Sequence, residues 1–596
     1  MSKMIMSGNE AVARGAYEGG VHFAAAYPGT PSTEILENIG GLYKDDIYCE
    51  WAPNEKVAAE AAYGAAIGGM RSMVTFKHVG MNVAADPIFT AGYAGANGGF
   101  VLVSADDPAC HSSQNEQDNR LYAQHAKLLM LEASDSQECK DFFRDAFELS
   151  EKFDMAVLFR MTTRVCHSKS VVELGERVDS PVKKYERRAD KFAMLPATAK
   201  KRHIIVEDNI IKAREFSNNC KYNRLEEVEG AEIGIITSGI SYQYVKEVFG
   251  NTASVLKLGL TFPLPDKMLA EFAAKYKTLY VVEEGEPYIE NAVKALGFGH
   301  IIGKEKLTIQ GEFNTKVVSD ALTDAAEKFT YKVENANIPA RPPVLCAGCP
   351  HRGFYFALGK HSDKFVSMGD IGCYALAVNP PLNGFDCSIC MGGGFSTLVG
   401  ISRALKAQGD TRKAIGELGD STFFHSGLTS LIDIVASESN VVAVILDNSI
   451  TAMTGHQQNP GTTKNLMGYD TPAIDIEGLV RACGIDDAHL RVFDPMDQAA
   501  ADEALTAAYE AEGPFVIITK RPCALLKEVI KANAGKHVKV NPDKCVGCKL
   551  CLKIGCPSMA YDAVNKKAVI ADVDNCNQCT LCMQQCKLGA IEKVGE

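Results

Sequence analysis

Eight of the chain's 20 cysteines fall between Lys544 and Lys587. They form two runs: Cys545, Cys548, Cys551 and Cys556-Pro557, then Cys576, Cys579, Cys582 and Cys586. Three thiolates spaced two residues apart wrap three corners of an iron–sulfur cubane, and the fourth corner needs a cysteine from elsewhere. Where two such runs occur together, the trailing cysteine of each closes the other's cluster. Cys545, Cys548, Cys551 and Cys586 are therefore assigned to one 4Fe–4S cluster, and Cys556, Cys576, Cys579 and Cys582 to a second. A zinc ribbon would show two CxxC pairs instead, and disulfides are rare in a reducing compartment. The first run has four residues before its last cysteine and the second has three, and Lys587 stands where a proline usually follows. The chain handles electrons, so other residues must supply them.

A second constellation lies upstream. Twenty-five residues separate Gly419-Asp420-Ser421 from Asp447-Asn448. The stretch 414–418 leads into the first motif and the fully apolar stretch 441–446 into the second, and a helical pattern covers 428–437 between them. Two successive parallel strands then deliver Asp420 and Asn448 side by side. A hard divalent ion takes oxygen ligands: a carboxylate, an amide, a backbone carbonyl and a diphosphate. This is the spacing of the thiamine-diphosphate motif, with Ser421 in place of the more usual glycine. Gly392-Gly393-Gly394, ahead of a helix at 395–405, would let backbone approach the same diphosphate. The same region holds Cys346, Cys349, Cys373, Cys387, Cys390 and Cys523. A lone CxxC reads as a zinc pair, a redox pair or two buried thiols.

These groups need scaffolds. A chain of 596 residues should hold three to five domains, and its 46% hydrophobic and 23% charged content is ordinary for globular protein. A net charge of −12 argues against general nucleic-acid binding. No stretch of about 18 apolar residues suggests a membrane span. The first residues lack the apolar core of an export signal, so a reducing, anaerobic cytoplasm is the expected setting. Residues 1–193 read as α/β, with a helix at 11–20 and a strand at 21–27. The turn Pro28-Gly29-Thr30-Pro31 follows, then a helix at 34–39 with Ser or Thr as its N-cap. An Ala-rich helix at 55–69 comes before strands at 73–76 and 100–104. The second of these strands runs into polar residues from Asp106 to Arg120, read either as a ligand-binding strand end or as a solvated loop. Residues 194–335 give another α/β region with strands at 232–237 and 277–283, where Glu283 and Glu284 read as a solvated strand end. Residues 335–343, with three prolines, read as a linker.

A thiamine motif and a two-cluster module on one chain resemble the 2-oxoacid:ferredoxin oxidoreductases, in particular the large subunits of the indolepyruvate branch. The likeness covers essentially the whole chain and is carried by YPGTPSTEI, LCAGCPHRG, GDIGCY, DNSITAMTGHQ and the cysteine runs. It implies an α/β fold of several doubly wound parallel-sheet domains plus a small α+β ferredoxin-like domain with two clusters. A thiamine pyrimidine-binding domain would cover 1–193 and a transketolase C-terminal-like domain 194–335. A diphosphate- and Mg2+-binding domain would cover 336–532, and the ferredoxin-like domain 533–596. By the same resemblance Glu55, nine residues before Gly64, bonds the aminopyrimidine ring nitrogen, with Glu60 as its competitor. Thr30 would contact the substrate's carboxylate and keto group. Asp420, Asn448 and the Ile450 carbonyl would hold Mg2+, and Gly419, His351, Gly392 and Gly393 would complete the cofactor site. Cys346, Cys349, Cys373 and Cys523 match the ligands of a third, proximal cluster in several relatives; without it they are free thiols.

The implied reaction is oxidative decarboxylation of arylpyruvates, indolepyruvate above all. Coenzyme A would take the acyl group, and electrons would leave one at a time through the clusters to ferredoxin. A separate β subunit of about 200 residues would complete an αβ pair that dimerises, with no nucleic-acid or membrane partner. No aromatic pocket is legible, so substrate choice follows from the resemblance alone. The rival readings are a sister enzyme for another 2-oxoacid, a non-oxidative thiamine decarboxylase with structural clusters, and an electron-transfer subunit that has lost its thiamine. The intact Asp420 and Asn448 argue against the last.

Overall fold

The computed structural model describes residues 2–323, 339 and 342–595, so most of the expected linker at 335–343 lies outside the described residues. The chain divides into two compact units, Met1–Ala336 with Leu466–Gly468, and Asn337–Asn465 with Tyr469–Glu596. Among the described residues no helix is long and apolar enough to cross a membrane.

The first unit centres on a seven-stranded sheet. Its spatial order is Leu260–Phe262, Leu129–Glu132, Val157–Thr162, Phe100–Asp106, Ser72–Lys77, Phe23–Ala26 and Tyr48–Trp51. All neighbours run parallel except at the first edge, where Leu260–Phe262 is antiparallel to Leu129–Glu132. Phe100–Asp106 is buried along its whole length. Successive side chains point to opposite faces, so Val101 and Val103 enter one core while Phe100 and Leu102 enter another. In a second sheet Thr278–Val282, Ile233–Ser238 and Ala253–Leu258 run parallel, with Arg224–Glu226 antiparallel at the edge.

Local chemistry explains several helix starts here. Ser7 and Glu10 form a reciprocal capping box at the helix Gly8–Glu18. Asn54, extended at φ −155°, accepts from the Val57 N–H at 2.8 Å and opens the Ala-rich helix Glu55–Ile67. The cap expected for the helix Thr33–Leu42 is absent. Ser32 already has helical φ and ψ (−96°, −11°), so its hydroxyl is turned away from the first helical N–H groups and donates to Gly29 O at 2.9 Å.

The expectation of a solvated strand end at Glu283 and Glu284 is overturned, because they are only 1% and 5% exposed. Glu283 Oε2 accepts from Arg120 Nη1 at 2.6 Å and from Ile289 N at 3.0 Å. Glu284 Oε1 accepts from Phe313 N at 2.8 Å. The cation that compensates Glu283 comes from 163 residues away, and such a partner leaves no local signal in the sequence.

Burial lifts the Glu284 carboxyl from 4.5 to about 7. Below the unfolded value both states hold the proton. As pH rises from there toward 7 the unfolded chain releases its proton first, so the native state loses about 3 kcal/mol and the loss levels off above 7. Glu284→Gln keeps the acceptor for Phe313 and removes the ionisation. The variant should therefore melt higher than the parent at pH 8 and about equally at pH 4.5. Equal melting at pH 8 would contradict this account.

The second unit holds a five-stranded, all-parallel sheet. Its order is Phe365–Met368, Lys413–Gly419, Val441–Asp447, Phe515–Lys520 and Leu490–Phe493. Val442, Val444 and Leu446 enter one core with Phe354 and Tyr355, while Val441, Ala443 and Ile445 enter another with Phe395 and Leu431. Both faces of the strand are covered, as an unbroken apolar strand requires. Toward the C-terminus two short antiparallel pairs, His537–Val540 with Ile591–Val594 and Met559–Asp562 with Lys567–Ile570, frame the cysteine runs. Their small core includes Cys545, Cys551 and Cys582 among Val538, Ile554 and Leu581. A segment this short seldom builds a sufficient apolar core alone, and metal commonly serves as its staple.

Candidate functional site

Gly419 ends the strand Lys413–Gly419 and pairs in register with Leu446 of the next parallel strand. The residues just beyond, Asp420 and Asn448, therefore emerge side by side and buried. Asn448 Oδ1 lies 2.7 Å from Ile450 O and 3.1 Å from Asp420 Oδ1. Inverting the amide would turn both approaches into hydrogen bonds. The side chain's other end favours the orientation as it stands, because Asn448 Nδ2 faces His351 Nε2 at 3.3 Å. Burial holds His351 near a pKa of about 4, so it is neutral and can accept. Three oxygens then converge, and a hard divalent cation relieves that crowding. Asn459 Nδ2 braces the outer oxygen of Asp420 at 2.8 Å. Ser421, where a glycine is more usual, accepts from Thr451 Oγ1 at 2.9 Å and so ties the two motif turns together. Burial, reinforced by the charge of Asp447, lifts Asp420 to about 7, and a bound cation would reverse that preference.

The N–H groups of the glycine run have partners within the chain. Gly392 N and Gly394 N donate to Asp370 at 3.0 and 2.7 Å, and Gly393 N donates to Cys390 O at 2.9 Å. These three donors are thus engaged within the chain. What glycine supplies is closeness: at Gly392, φ is +87° and a Cβ would sit 2.0 Å from Ser426 Oγ. Asp370, from GDIGCY, is the residue that fixes this turn.

In the first unit Glu55 and Glu60 share one helix but differ in setting. Glu55 is buried, and a Cβ on Gly80 would come within 2.8 Å of its Cγ. Glu60 is exposed and paired with Lys56. Thr30 sits in a turn held by Asn9 Nδ2, which donates to Pro31 O at 2.7 Å, and by Ser32. Nearby, Asp107 accepts from Ser112 N at 2.9 Å and Thr163 Oγ1 at 2.8 Å, so the polar strand end is an ordered network.

Each cysteine quartet lines one cavity. Cys556, Cys576, Cys579 and Cys582 border one cavity, and Cys545, Cys548, Cys551 and Cys586 border another. Each run thus contributes its trailing cysteine to the other's cavity. The runs reverse direction through matching left-handed residues, Gly547 and Lys549 in the first, Gln578 and Thr580 in the second. Two buried polar atoms beside the first cavity, Arg352 Nε and Asn577 Oδ1, lack partners. Among the described residues no three His, Cys, Asp or Glu side chains converge for a single metal ion. Four thiols around a cavity suit a larger multi-iron cluster instead.

Cys346, Cys349, Cys373 and Cys523 come from three segments yet act on one another. Burial lifts Cys373 to about 11, with the charges of Cys523 and Cys346 adding to it. Burial lifts Cys349 to about 12, and Cys346 and Cys373 add there. Cys523 Sγ also lies 3.7 Å from His456 Nε2. Sequence reasoning did not single out Asn459, His456, Asp370 or Arg352. Asp370, His456 and Arg352 lie inside quoted motifs, which was their only signal.

Comparison with known proteins agrees with these features. Residues 14–233 match the model of the pyruvate flavodoxin/ferredoxin oxidoreductase thiamine diphosphate-binding domain. Residues 370–519 match the C-terminal TPP-binding domain of thiamine pyrophosphate enzymes, and 537–587 match the 4Fe-4S dicluster domain. The indolepyruvate oxidoreductase subunit IorA of Archaeoglobus fulgidus is 39% identical, over 99% of this chain and 97% of its own. That of Pyrococcus horikoshii is also 39% identical, over 100% and 97%. A 2-oxoglutarate synthase subunit, KorA, of Methanothermobacter marburgensis is 28% identical over only 29% of this chain and 48% of its own. Thiamine-binding domains, a dicluster module and near-full-length identity together place the chain in the indolepyruvate oxidoreductase IorA family, among the thiamine-diphosphate-dependent 2-oxoacid:ferredoxin oxidoreductases.

Proposed function

We propose that this enzyme oxidatively decarboxylates arylpyruvates, indolepyruvate foremost, to the aryl-acetyl-coenzyme A and carbon dioxide, with a ferredoxin as electron acceptor. The observation that carries the reading is the 39% identity, over 99% of the chain, to a subunit named for indolepyruvate. Thiamine diphosphate, when bound, supplies the nucleophilic carbon and electron sink that the decarboxylation needs. Asp420, Asn448 Oδ1 and Ile450 O hold Mg2+, and Gly419 lets the backbone come close to the diphosphate. His351 keeps the Asn448 amide in its ligating orientation. Gly392 and Gly393 bring backbone close to the same diphosphate. Glu55 holds a proton at the aminopyrimidine ring nitrogen, and Thr30 binds the substrate's carboxylate and keto group. The two C-terminal quartets hold 4Fe–4S clusters, and Cys346, Cys349, Cys373 and Cys523 hold a third. A separate β subunit of about 200 residues completes an αβ pair or α2β2 complex.

Anaerobic assay of the complex with indolepyruvate, coenzyme A and a viologen dye tests this reading. Dye reduction that requires coenzyme A is expected. About twelve irons per chain would support the third cluster, and about eight would confine the clusters to the C-terminal module. Faster turnover of 2-oxoglutarate or pyruvate would reassign the substrate, and aldehyde release without dye reduction would favour the non-oxidative reading. In the same assay Glu55→Gln should lower kcat by about 10²- to 10⁴-fold, the range for loss of a positioned proton-transfer group. Glu60→Gln, at an exposed position, should change it little. The opposite ranking would move the role to Glu60.

A further inference from the structure

Arg352 is charged yet only 3% exposed, in the first turn of the helix Pro350–Lys360. Within the second unit its guanidinium ties together two cysteine-bearing loops. Nη1 donates to Ile554 O at 2.9 Å and Gly555 O at 2.6 Å, while Nη2 donates to Leu345 O and, at 3.3 Å, to Cys346 O. The remaining donor, Nε, is buried without a partner, and Arg352 borders the cavity of Cys556, Cys576, Cys579 and Cys582. A buried guanidinium N–H left unpaired is costly, so an acceptor is expected in that cavity.

The irregular spacing of the first cysteine run makes the contact. Gly555, the last residue before Cys556, has φ +67°, and a Cβ there would lie 2.8 Å from Pro381 Cδ and 3.3 Å from Arg352 Nη1. The four-residue spacer thereby presents two successive carbonyls to one guanidinium.

We propose that Arg352 sets the potential of one cluster: its Nε–H donates to the cluster held by Cys556, Cys576, Cys579 and Cys582. This rests on the cysteine assignment above. Reduction adds one electron and one negative charge, so a buried cation and N–H donor favour the reduced form and raise the potential. The neighbouring cavity is bordered by Lys544, Lys549 and Lys587, all exposed and therefore screened by solvent.

Redox titration of the full complex, followed by electron paramagnetic resonance, tests the proposal. In Arg352→Gln one cluster of the module should become about tenfold harder to reduce, about 59 mV for a one-electron couple, with the other unchanged. Arg352→Lys, which keeps the charge and loses Nε, should fall between. Should the glutamine variant shed its cluster, the bond can be read in the unaltered protein. With nitrogen-15 arginine, the reduced cluster should couple magnetically to one arginine nitrogen. Absence of that coupling, or unchanged potentials at full iron content in Arg352→Gln, overturns the proposal. Iron well below the about eight that two clusters need would instead overturn the cysteine assignment.

Discussion

Asp420→Ala is expected to abolish turnover and to weaken Mg2+-dependent retention of thiamine diphosphate by more than about 100-fold, the upper end of what losing an outer partner costs a metal site. Asp420 is the one charged member of the oxygen trio; Asn448 Oδ1 and Ile450 O are neutral. Without it two dipoles would face a cation and an anionic diphosphate, with no protein charge to balance them. Asp420→Asn separates charge from shape. The amide oxygen can still accept from Asn459, so a comparable loss in that variant would assign the effect to charge. Calorimetric titration with thiamine diphosphate, at fixed Mg2+, reads both variants. Tight binding in Asp420→Ala would move the metal elsewhere.

The second large effect concerns the crossing of the cysteine runs. Cys556→Ala should remove about four irons per chain and end dye reduction, because electrons lose one relay. Cys586→Ala should do the same through the other cluster. The double variant Cys545→Ala with Cys556→Ala is more telling, since both residues belong to the first run. Crossed ligation predicts loss of both clusters, about eight irons, whereas uncrossed ligation predicts loss of one, about four. Iron analysis of anaerobically purified protein distinguishes the two. Because Cys545, Cys551 and Cys582 are also part of the module's small core, protease sensitivity should rise with the iron lost.

The sequence was most legible where the chemistry is local. The stretch 441–446 reads as a buried strand because its side chains serve two cores at once. The motif turns meet because successive parallel strands with a crossover between them return to the same sheet end. The cysteine quartets were read from spacing together with the crossed pattern of two-cluster ferredoxins, and each lines its own cavity. Legibility ended wherever a partner lies far along the chain. Glu283 looks like a surface acid until Arg120 is brought against it. The N–H groups of Gly392 and Gly394 look available until Asp370 takes them. Arg352 carries no periodic or compositional signal, since its partners at Ile554 and Gly555 are over 200 residues away. Ser32 misled for a different reason: residue type favours a cap, but its backbone had already entered the helix.

Leu260–Phe262 arises in the second α/β region yet supplies the last strand of the first region's sheet, pairing with Met130 and Leu131. Ending the chain at residue 193 would bare the N–H and C=O groups along Leu129–Glu132 beside three apolar side chains. An unpaired edge of that kind is a template for aggregation. From the sequence the two regions read as separate domains, yet a three-residue strand welds them. Gene fusions, splits or swaps that keep this enzyme foldable should therefore move the pair together.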